Sequence, residues 1–279
     1  MNRPLIFQSD FGLVDGAVAA MMGVALSIEE SLPIYHLTHE ITPYNIWEAS
    51  YRLVQTVEYW PKGSVFVSVV DPGVGSARKS VVALTKDGKY IVTPDNGTLT
   101  HVHHSLGIVA LREISEVKHR RNNTENSYTF HGRDVYAYTG AKLAAGLIKF
   151  EEVGDELPLE EILMLPMGKV EVSENSVKGC IDILDVRFGS LWTNVKHEDF
   201  LKLGVTFGDK VEVSIYNGHT LVYQNRITYG KSFADVFVGE MIVYVNSLYT
   251  MGIAINQGSF AKAYNIGVGI HWQVEFKKI

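Results

Sequence analysis

Ser64-Val65-Phe66-Val67-Ser68-Val69-Val70-Asp71-Pro72-Gly73-Val74-Gly75-Ser76-Ala77-Arg78 is an apolar run that stops at a carboxylate, two glycines and an arginine. The run reads as a buried strand that delivers Asp71 to its carboxyl end. Gly73 and Gly75 let the chain turn tightly there, because glycine alone takes positive φ without a steric cost. The turn carries Arg78 back towards Asp71 before SVVAL, at residues 80–84, opens another strand. Polar groups at the carboxyl ends of strands are where open α/β sheets place their ligands. Taken by itself the segment is a salt-bridged turn; its company elsewhere decides whether it is more.

Upstream, LIFQ at residues 5–8 is a short strand ending in Ser9-Asp10-Phe11-Gly12. Asp15 caps a helix that reaches about residue 26, with small residues that permit close packing. Residues 33–37 read as a second strand and 44–59 as a second helix. Downstream, strands are expected at 80–84, 90–93 and 108–111. A third helix is expected at 134–150, where Val135, Tyr138, Leu143 and Leu147 fall near one stripe. Strands alternating with helices indicate an α/β domain around a central parallel or mixed sheet.

The texture changes near residues 157–168 (LPLEEILMLPMG). Beyond them period-two alternation dominates, as in Val211, Val213 and Ile215 or Trp272, Val274 and Phe276, with turn signals such as Asn217-Gly218 between runs. The expected architecture is an N-terminal α/β domain over residues 1–166 and a smaller all-β, barrel-like domain over 167–279.

Composition narrows the function classes. With 279 residues and 46% hydrophobic content the chain has ample core material. A net charge of −6 and the absence of basic runs argue against nucleic acid as a partner. No apolar stretch reaches the ~18 residues of a membrane span, and the N-terminus lacks signal-peptide character. A cytoplasmic protein without membrane attachment is expected. The single Cys180 excludes an internal disulfide and a multi-cysteine zinc site, and reads as a small buried hydrophobe.

Three loops at strand ends carry candidate chemistry. The first holds Asp10 and Asp15: a carboxylate at a strand–helix junction can accept from both ribose hydroxyls, although Asp15 is as readily a helix cap. The second is the Asp71–Arg78 turn. The third is Tyr128-Thr129-Phe130-His131-Gly132-Arg133-Asp134, where a histidine beside glycine can approach a ligand closely. A loop histidine alone is ordinarily structural. One Asp, one Arg and one His on separate strand ends can assemble an acid–base site. Pro94-Asp95-Asn96-Gly97 is a turn. His101-Val102-His103-His104 lacks a nearby cysteine or carboxylate and reads as a solvated or hydrogen-bonded turn, not a metal site. Gly73-Val74-Gly75-Ser76 is no phosphate loop, since no Gly-Lys-Ser/Thr follows.

The segments SDFG, VVDPGVGSARKSV, TPDNGTLT and TFHGRDVYA, followed by LDVRFGSLWTN at residues 184–194 and YVNS at 244–247, together resemble the S-adenosyl-L-methionine hydrolase family. Its members are also called SAM hydroxide adenosyltransferases, and are relatives of the fluorinase and chlorinase enzymes. The resemblance runs in order along nearly the whole chain. It implies an N-terminal α/β domain, a C-terminal β-barrel, and a homotrimer with active sites at subunit interfaces. It implies hydrolysis of S-adenosyl-L-methionine to adenosine and L-methionine, the sulfonium compound being the substrate and no cofactor or metal being used.

Carried over by motif, Asp71, Arg78 and His131 handle the water. Asp10 is implied as the ribose ligand, Asp15 as the acid near the methionine ammonium, and Tyr44 as an aromatic that packs on the nucleoside. Asn96 and Phe130 join them as substrate-binding positions. Asp185, Phe188 and Ser190 correspond to positions near ribose and adenine, and Ser247 to one near the methionine carboxylate. Two departures stand out: Leu248 follows Ser247 where halogenating relatives carry arginine, and Ser190 stands where they have an adenine-binding asparagine. Those relatives also lack the Asp/His pair, so water is the expected attacker here. A halide-using adenosyltransferase and a non-catalytic binder of adenosine or S-adenosyl-L-methionine are the rival readings.

Overall fold

In this computed structural model, which describes residues 2–279, seven strands build the first sheet. They are β1 (Leu5–Ser9), β2 (Ile34–Thr38), β3 (Val65–Val69), β4 (Ser80–Thr85), β5 (Tyr90–Pro94), β6 (Ile108–Glu113) and β7 (Glu156–Leu157). Their spatial order is β2-β1-β3-β5-β4-β6-β7. The β1–β2, β1–β3 and β3–β5 pairs are parallel, while β4 runs antiparallel to β5 and β6, so the sheet is mixed. β3 lies inside the parallel part, and all five of its residues are buried.

Helices cover both faces. They are α1 (Ala17–Ile28), α2 (Ile46–Val57), α3 (Thr100–Ser105), α4 (Glu116–His119) and α5 (Tyr138–Ala144). Strict alternation along β1 and β3 sorts their side chains. Leu5, Phe7, Val65 and Val67 pack with Met21 of α1 and Ala141 and Leu143 of α5. Ile6 and Phe66 pack with Leu53 and Val57 of α2 and with Val102 of α3. A strand buried on both faces reads as a continuous apolar run, which is why residues 64–70 look as they do. Each such Val or Phe stabilises the fold by about 1.5–3 kcal/mol relative to an exposed side chain.

Three local expectations change. The helix expected from residue 44 begins at Ile46: Tyr44 sits at φ +68°, and the Asn45 side chain accepts the Glu48 N–H as the cap. The histidine-rich turn is helix α3, with the His101 Nδ1 2.9 Å from the Ser50 hydroxyl of α2. The third helix opens in a π-helical turn, Gly132–Ala137, and α5 stops at Ala144 because Gly146 takes φ +71°, a left-handed glycine stop that leaves Leu147 exposed.

The chain divides into two compact units, the first ending at Leu165 and the second running Pro166–Ile279. The second contains β8 (Glu171–Val172), β9 (Ser176–Leu184), β10 (Leu191–Lys196), β11 (Lys210–Asn217), β12 (Thr220–Tyr229), β13 (Met241–Val245), β14 (Thr250–Ile255) and β15 (Gly269–Lys278). The order β10-β14-β13-β12-β11-β15-β9 closes through a β9–β10 pairing into a seven-stranded barrel, and β8 adds to β9. Val211, Val213, Ile215, Ile253 and Phe276 fill its interior and have no exposed surface. The β11–β12 hairpin turns at Gly218, φ +57°, as its Asn-Gly signal requires. Among the described residues no helix is long and apolar enough to cross a membrane.

Gly140 shows how tightly α5 sits on the sheet: a Cβ there would lie 2.5 Å from the Val67 Cγ2. Gly140→Ala should therefore destabilise by about 1–3 kcal/mol despite alanine's better helix propensity. Thermal melts read this as a lowered midpoint, which the double variant Gly140→Ala/Val67→Ala should partly recover.

Candidate functional site

The carboxyl ends of β1 and β3 and the start of the π-helical turn enclose a cavity of about 390 Å³. Asp10, Tyr44, Asp71, Thr129, Phe130 and His131 line it, with Phe11, Val69 and Val74 among the apolar walls. Phe11 and Phe130 meet edge to face, their centroids 5.7 Å apart. All of these residues belong to the first unit.

Asp71 follows β3 after the buried Val70, so the buried strand aims its carboxylate at the cavity. Arg78 clamps that carboxylate with both arms: Nε donates to Oδ1 at 2.9 Å and Nη2 to Oδ2 at 2.5 Å. Paired, planar donation of this kind is the strongest form of the Arg–carboxylate contact. Arg78 Nη1 donates to the Ser80 hydroxyl at 2.8 Å, and the guanidinium lies 5.6 Å from the Tyr136 ring centroid. Of the two glycines in the turn only Gly75 takes positive φ, +78°, and a Cβ there would meet the Tyr128 carbonyl at 3.0 Å. The turn is thus pressed against the segment that carries His131.

His131 is 3% exposed, with its Nδ1 3.0 Å from Arg78 Nη2 and its Nε2 2.8 Å from Arg120 Nη2. Burial first, opposed by Glu116 and Asp71 and reinforced by the two arginines, holds its pKa below the usual histidine value. The ring is neutral at neutral pH. Arg120 is fixed by Glu116 Oε2, which accepts from Nε at 3.1 Å and Nη2 at 2.9 Å. Burial beside Asp71 pushes the Tyr136 hydroxyl well above the phenol range, so it stays a protonated donor, 3.4 Å from Asp71 Oδ2.

Asp10 Oδ2 accepts the Tyr44 backbone N–H at 2.8 Å, which holds Tyr44 at the cavity mouth. The strand end before it is pinned by the Ser9 hydroxyl, 2.7 Å from His39 Nδ1, and His36 Nδ1 stands 2.7 Å from His39 Nε2. Asp15 is exposed and accepts the Ala17 N–H at 2.9 Å, a first-turn capping contact away from the lining. Asn96 does not line the cavity either. Its amide donates to the Val70 carbonyl at 2.9 Å and its oxygen accepts from the Thr98 hydroxyl, so it fixes the chain just ahead of Asp71.

The remaining candidates lie on the barrel. Asp185, Phe188 and Ser190 share the β9–β10 loop, where the Ser190 carbonyl accepts the Asp185 N–H and Gly189 takes φ +69°. Phe188 is 70% exposed and Ser190 is buried. Ser247 is exposed on the β13–β14 turn that Asn246 organises by accepting from the Leu248 and Thr250 N–H groups. The pairings Leu191↔Ile253 and Lys196↔Thr250 put that turn and the β9–β10 loop at opposite ends of the β10–β14 pair. Among the described residues no group of three or more His, Cys, Asp or Glu side chains is placed to hold a metal.

Four contributors escape a reading of the sequence: Ser80, Glu116, Arg120 and Tyr136. Ser80 and Tyr136 look like ordinary strand and helix residues. Glu116 and Arg120 form an i,i+4 pair whose spacing alone signals a solvated helix face.

Comparison with known proteins follows the same division of the chain. The model of the SAM hydroxide adenosyltransferase N-terminal domain matches residues 5–154, and that of the C-terminal domain matches residues 179–273. The chain is 40% identical over 199 residues to a protein of Methanocaldococcus jannaschii named (R)-S-adenosyl-L-methionine hydrolase, covering 70% of this chain and 68% of the other. It is 30% identical to a fluorinase of Nocardia brasiliensis over 98% of this chain and 97% of that one. A crystal structure of an uncharacterized conserved protein from Thermotoga maritima superposes with a TM-score of 0.90 at 35% identity, covering 98% of this chain and all of that one.

His39, His101, His119 and His131 are all held below the usual histidine pKa chiefly by burial, His39 and His101 to about 4. Unfolding exposes each to protonation near pH ~6.5. Since the unfolded chain binds more protons, the stability they contribute is whole above that pH and is lost as pH falls towards about 4. Urea midpoints should be flat from neutral to mildly alkaline pH and fall on the acid side, and His101→Gln should remove about one proton from that uptake.

Proposed function

This chain belongs to the SAM hydroxide adenosyltransferase family, and from that premise we propose that it hydrolyses S-adenosyl-L-methionine to adenosine and L-methionine. The observation that carries the reading is that Asp71 and His131 line one cavity and Arg78 contacts both of them. The sulfonium is already a good leaving group, so no acid is needed to expel it. Water attacks C5′ opposite sulfur, the C5′–O bond forms as C5′–S breaks, and the bonding pair leaves with methionine as a neutral thioether. The protein's task is then to hold one water in line and accept its proton, a positioning effect.

Charge supports a cationic substrate. Asp71 and Glu116 are matched by Arg78 and Arg120, whereas Asp10 lines the cavity with a backbone N–H as its partner. That leaves a net negative charge facing the pocket, suited to a sulfonium or to paired ribose hydroxyls. Tyr44 and Phe130 offer aromatic surface to a nucleoside. The reading extends to a homotrimer in which the exposed barrel positions Phe188 and Ser247, with Asp185 and Ser190, are supplied by a neighbouring copy. Light scattering of the purified protein checks that assembly.

The fluorinase relative makes halide the alternative attacker. A carboxylate and an imidazole beside the guanidinium favour water instead, since water can both donate to the one and accept from the other, whereas a halide only accepts.

In H₂¹⁸O the purified protein should release adenosine carrying one labelled oxygen, read by mass spectrometry after chromatography. Asp71→Asn and His131→Ala should each lower kcat/KM by roughly 10²–10⁴. No adenosine above the His131→Ala control would refute hydrolysis. A 5′-halo-nucleoside as main product in chloride or fluoride would favour the alternative, and tight binding without turnover would favour a sensor.

A further inference from the structure

Both ring nitrogens of His131 face a guanidinium, Arg78 at Nδ1 and Arg120 at Nε2. A guanidinium only donates, and a neutral imidazole has a single acceptor nitrogen. One of these contacts is therefore a hydrogen bond, and the other sets a cation beside an N–H. An imidazolium would set both cations against N–H groups, so the geometry opposes it twice over.

The shorter contact is that of Arg120, at 2.8 Å against 3.0 Å for Arg78. Arg120 is also the better anchored for this purpose. Glu116 takes two of its hydrogens, the Thr124 and Ser127 carbonyls accept from Nη1 at 3.3 and 3.2 Å, and the Tyr128 ring lies 4.9 Å from the guanidinium carbon. Each Nη2 gives one hydrogen to a carboxylate, Arg78 to Asp71 at 2.5 Å and Arg120 to Glu116 at 2.9 Å, so the shorter ring contact and the carbonyl anchors of Nη1 decide for Arg120. The charged groups around the ring are Asp71 and Arg78 from the loop after β3, and Glu116 and Arg120 from α4 and its C-terminal end. Glu116 Oε1 stands 4.0 Å from Nδ1, on the side where a proton is drawn by carboxylates.

We propose that Arg120 is a positioning residue: by donating to Nε2 it holds His131 neutral with its proton on Nδ1, so that Asp71, not His131, takes the proton of the attacking water. The ring then has no lone pair to offer and serves only as a hydrogen-bond donor. In the reaction the water O–H bond breaks as C5′–O forms, and the proton passes to a carboxylate oxygen of Asp71. Arg78 occupies one lone pair on each of those oxygens and the Tyr136 hydroxyl approaches Oδ2 at 3.4 Å, so of about four lone pairs Oδ1 keeps one open. Proton transfer to Asp71 rests on the hydrolase reading; the tautomer of His131 does not.

Imidazole ¹⁵N NMR, with His131 assigned from a His131→Gln spectrum, tests the tautomer without turnover. The wild-type ring should show the neutral Nδ1–H pattern through neutral pH. Arg120→Met should raise the His131 pKa by about one unit and admit the other tautomer, Arg120→Lys should restore the original state, and Glu116→Gln, which removes a carboxylate that favours the charged ring, should shift the pKa the opposite way. A wild-type ring that is Nε2–H or charged near neutrality, or one that Arg120→Met and Glu116→Gln both leave unchanged, overturns the proposal. In assays with S-adenosyl-L-methionine the acid limb of kcat/KM should persist in His131→Gln, and its disappearance would return the proton to His131. If the NMR result holds while no variant and no wild type releases adenosine, the hydrolase reading alone fails.

Discussion

The ion pair between Asp71 and Arg78 is the contact around which the first unit's functional end is arranged. Side-chain exposure is 5% for Asp71 and 9% for Arg78. A charge so placed cannot be left alone; removing one partner of a buried pair costs about 3–5 kcal/mol. The pair is tolerated because every strong donor and acceptor in it is used. Both carboxylate oxygens accept, and the third guanidinium arm goes to Ser80, whose hydroxyl in turn meets the Tyr136 hydroxyl at 3.1 Å. Strand β3 therefore ends where its apolar environment ends, and the first polar residue after it is captured at once.

From that pair the charges continue in an ordered line: Asp71, Arg78, His131, Arg120, Glu116. The line joins the turn after β3, helix α4 and the start of the π-helical turn. Its two acids and two bases cancel. That makes the neutrality of the central imidazole a property of the whole line, since a proton there would add an unmatched charge in a buried place. The same cancellation isolates Asp10 as the carboxylate that sets the sign of the cavity.

The sequence was most legible where one physical demand ruled. Residues 64–70 and 5–8 announce buried strands because both faces must be apolar, and Asn217-Gly218 announces a hairpin because its turn needs positive φ. The convergence of Asp71 with Arg78 follows from a turn too short to let them separate. Other features depend on tertiary partners. Residues 99–106 look like a solvated turn until Ser50 supplies a hydrogen bond to the His101 backbone N–H and ring. Asn96 looks free to meet a ligand, yet the Val70 carbonyl and Thr98 use its side chain. Glu116 and Arg120 are an i,i+4 pair like many on a surface, and nothing in their spacing tells that His131 lies beside them.

The π-helical turn Gly132–Ala137 explains why the third helix hid its part in the site. His131 and Tyr136 both address Arg78, the first through Nδ1 and the second through its ring face, and they are five residues apart. At 3.6 residues per turn a separation of five places side chains roughly 140° apart, on different faces. A π turn closes i to i+5, which brings such residues onto one face. Gly132 permits the tight entry, since a Cβ there would lie 3.2 Å from two atoms of the Phe11 ring. Beyond the turn the chain resumes α-helical winding in α5, with Ala141 and Leu143 returned to the core. A stripe sought at the α-helical period across residues 134–150 therefore finds the packing face and misses the functional one. The wide turn is what lets a single short helix serve both.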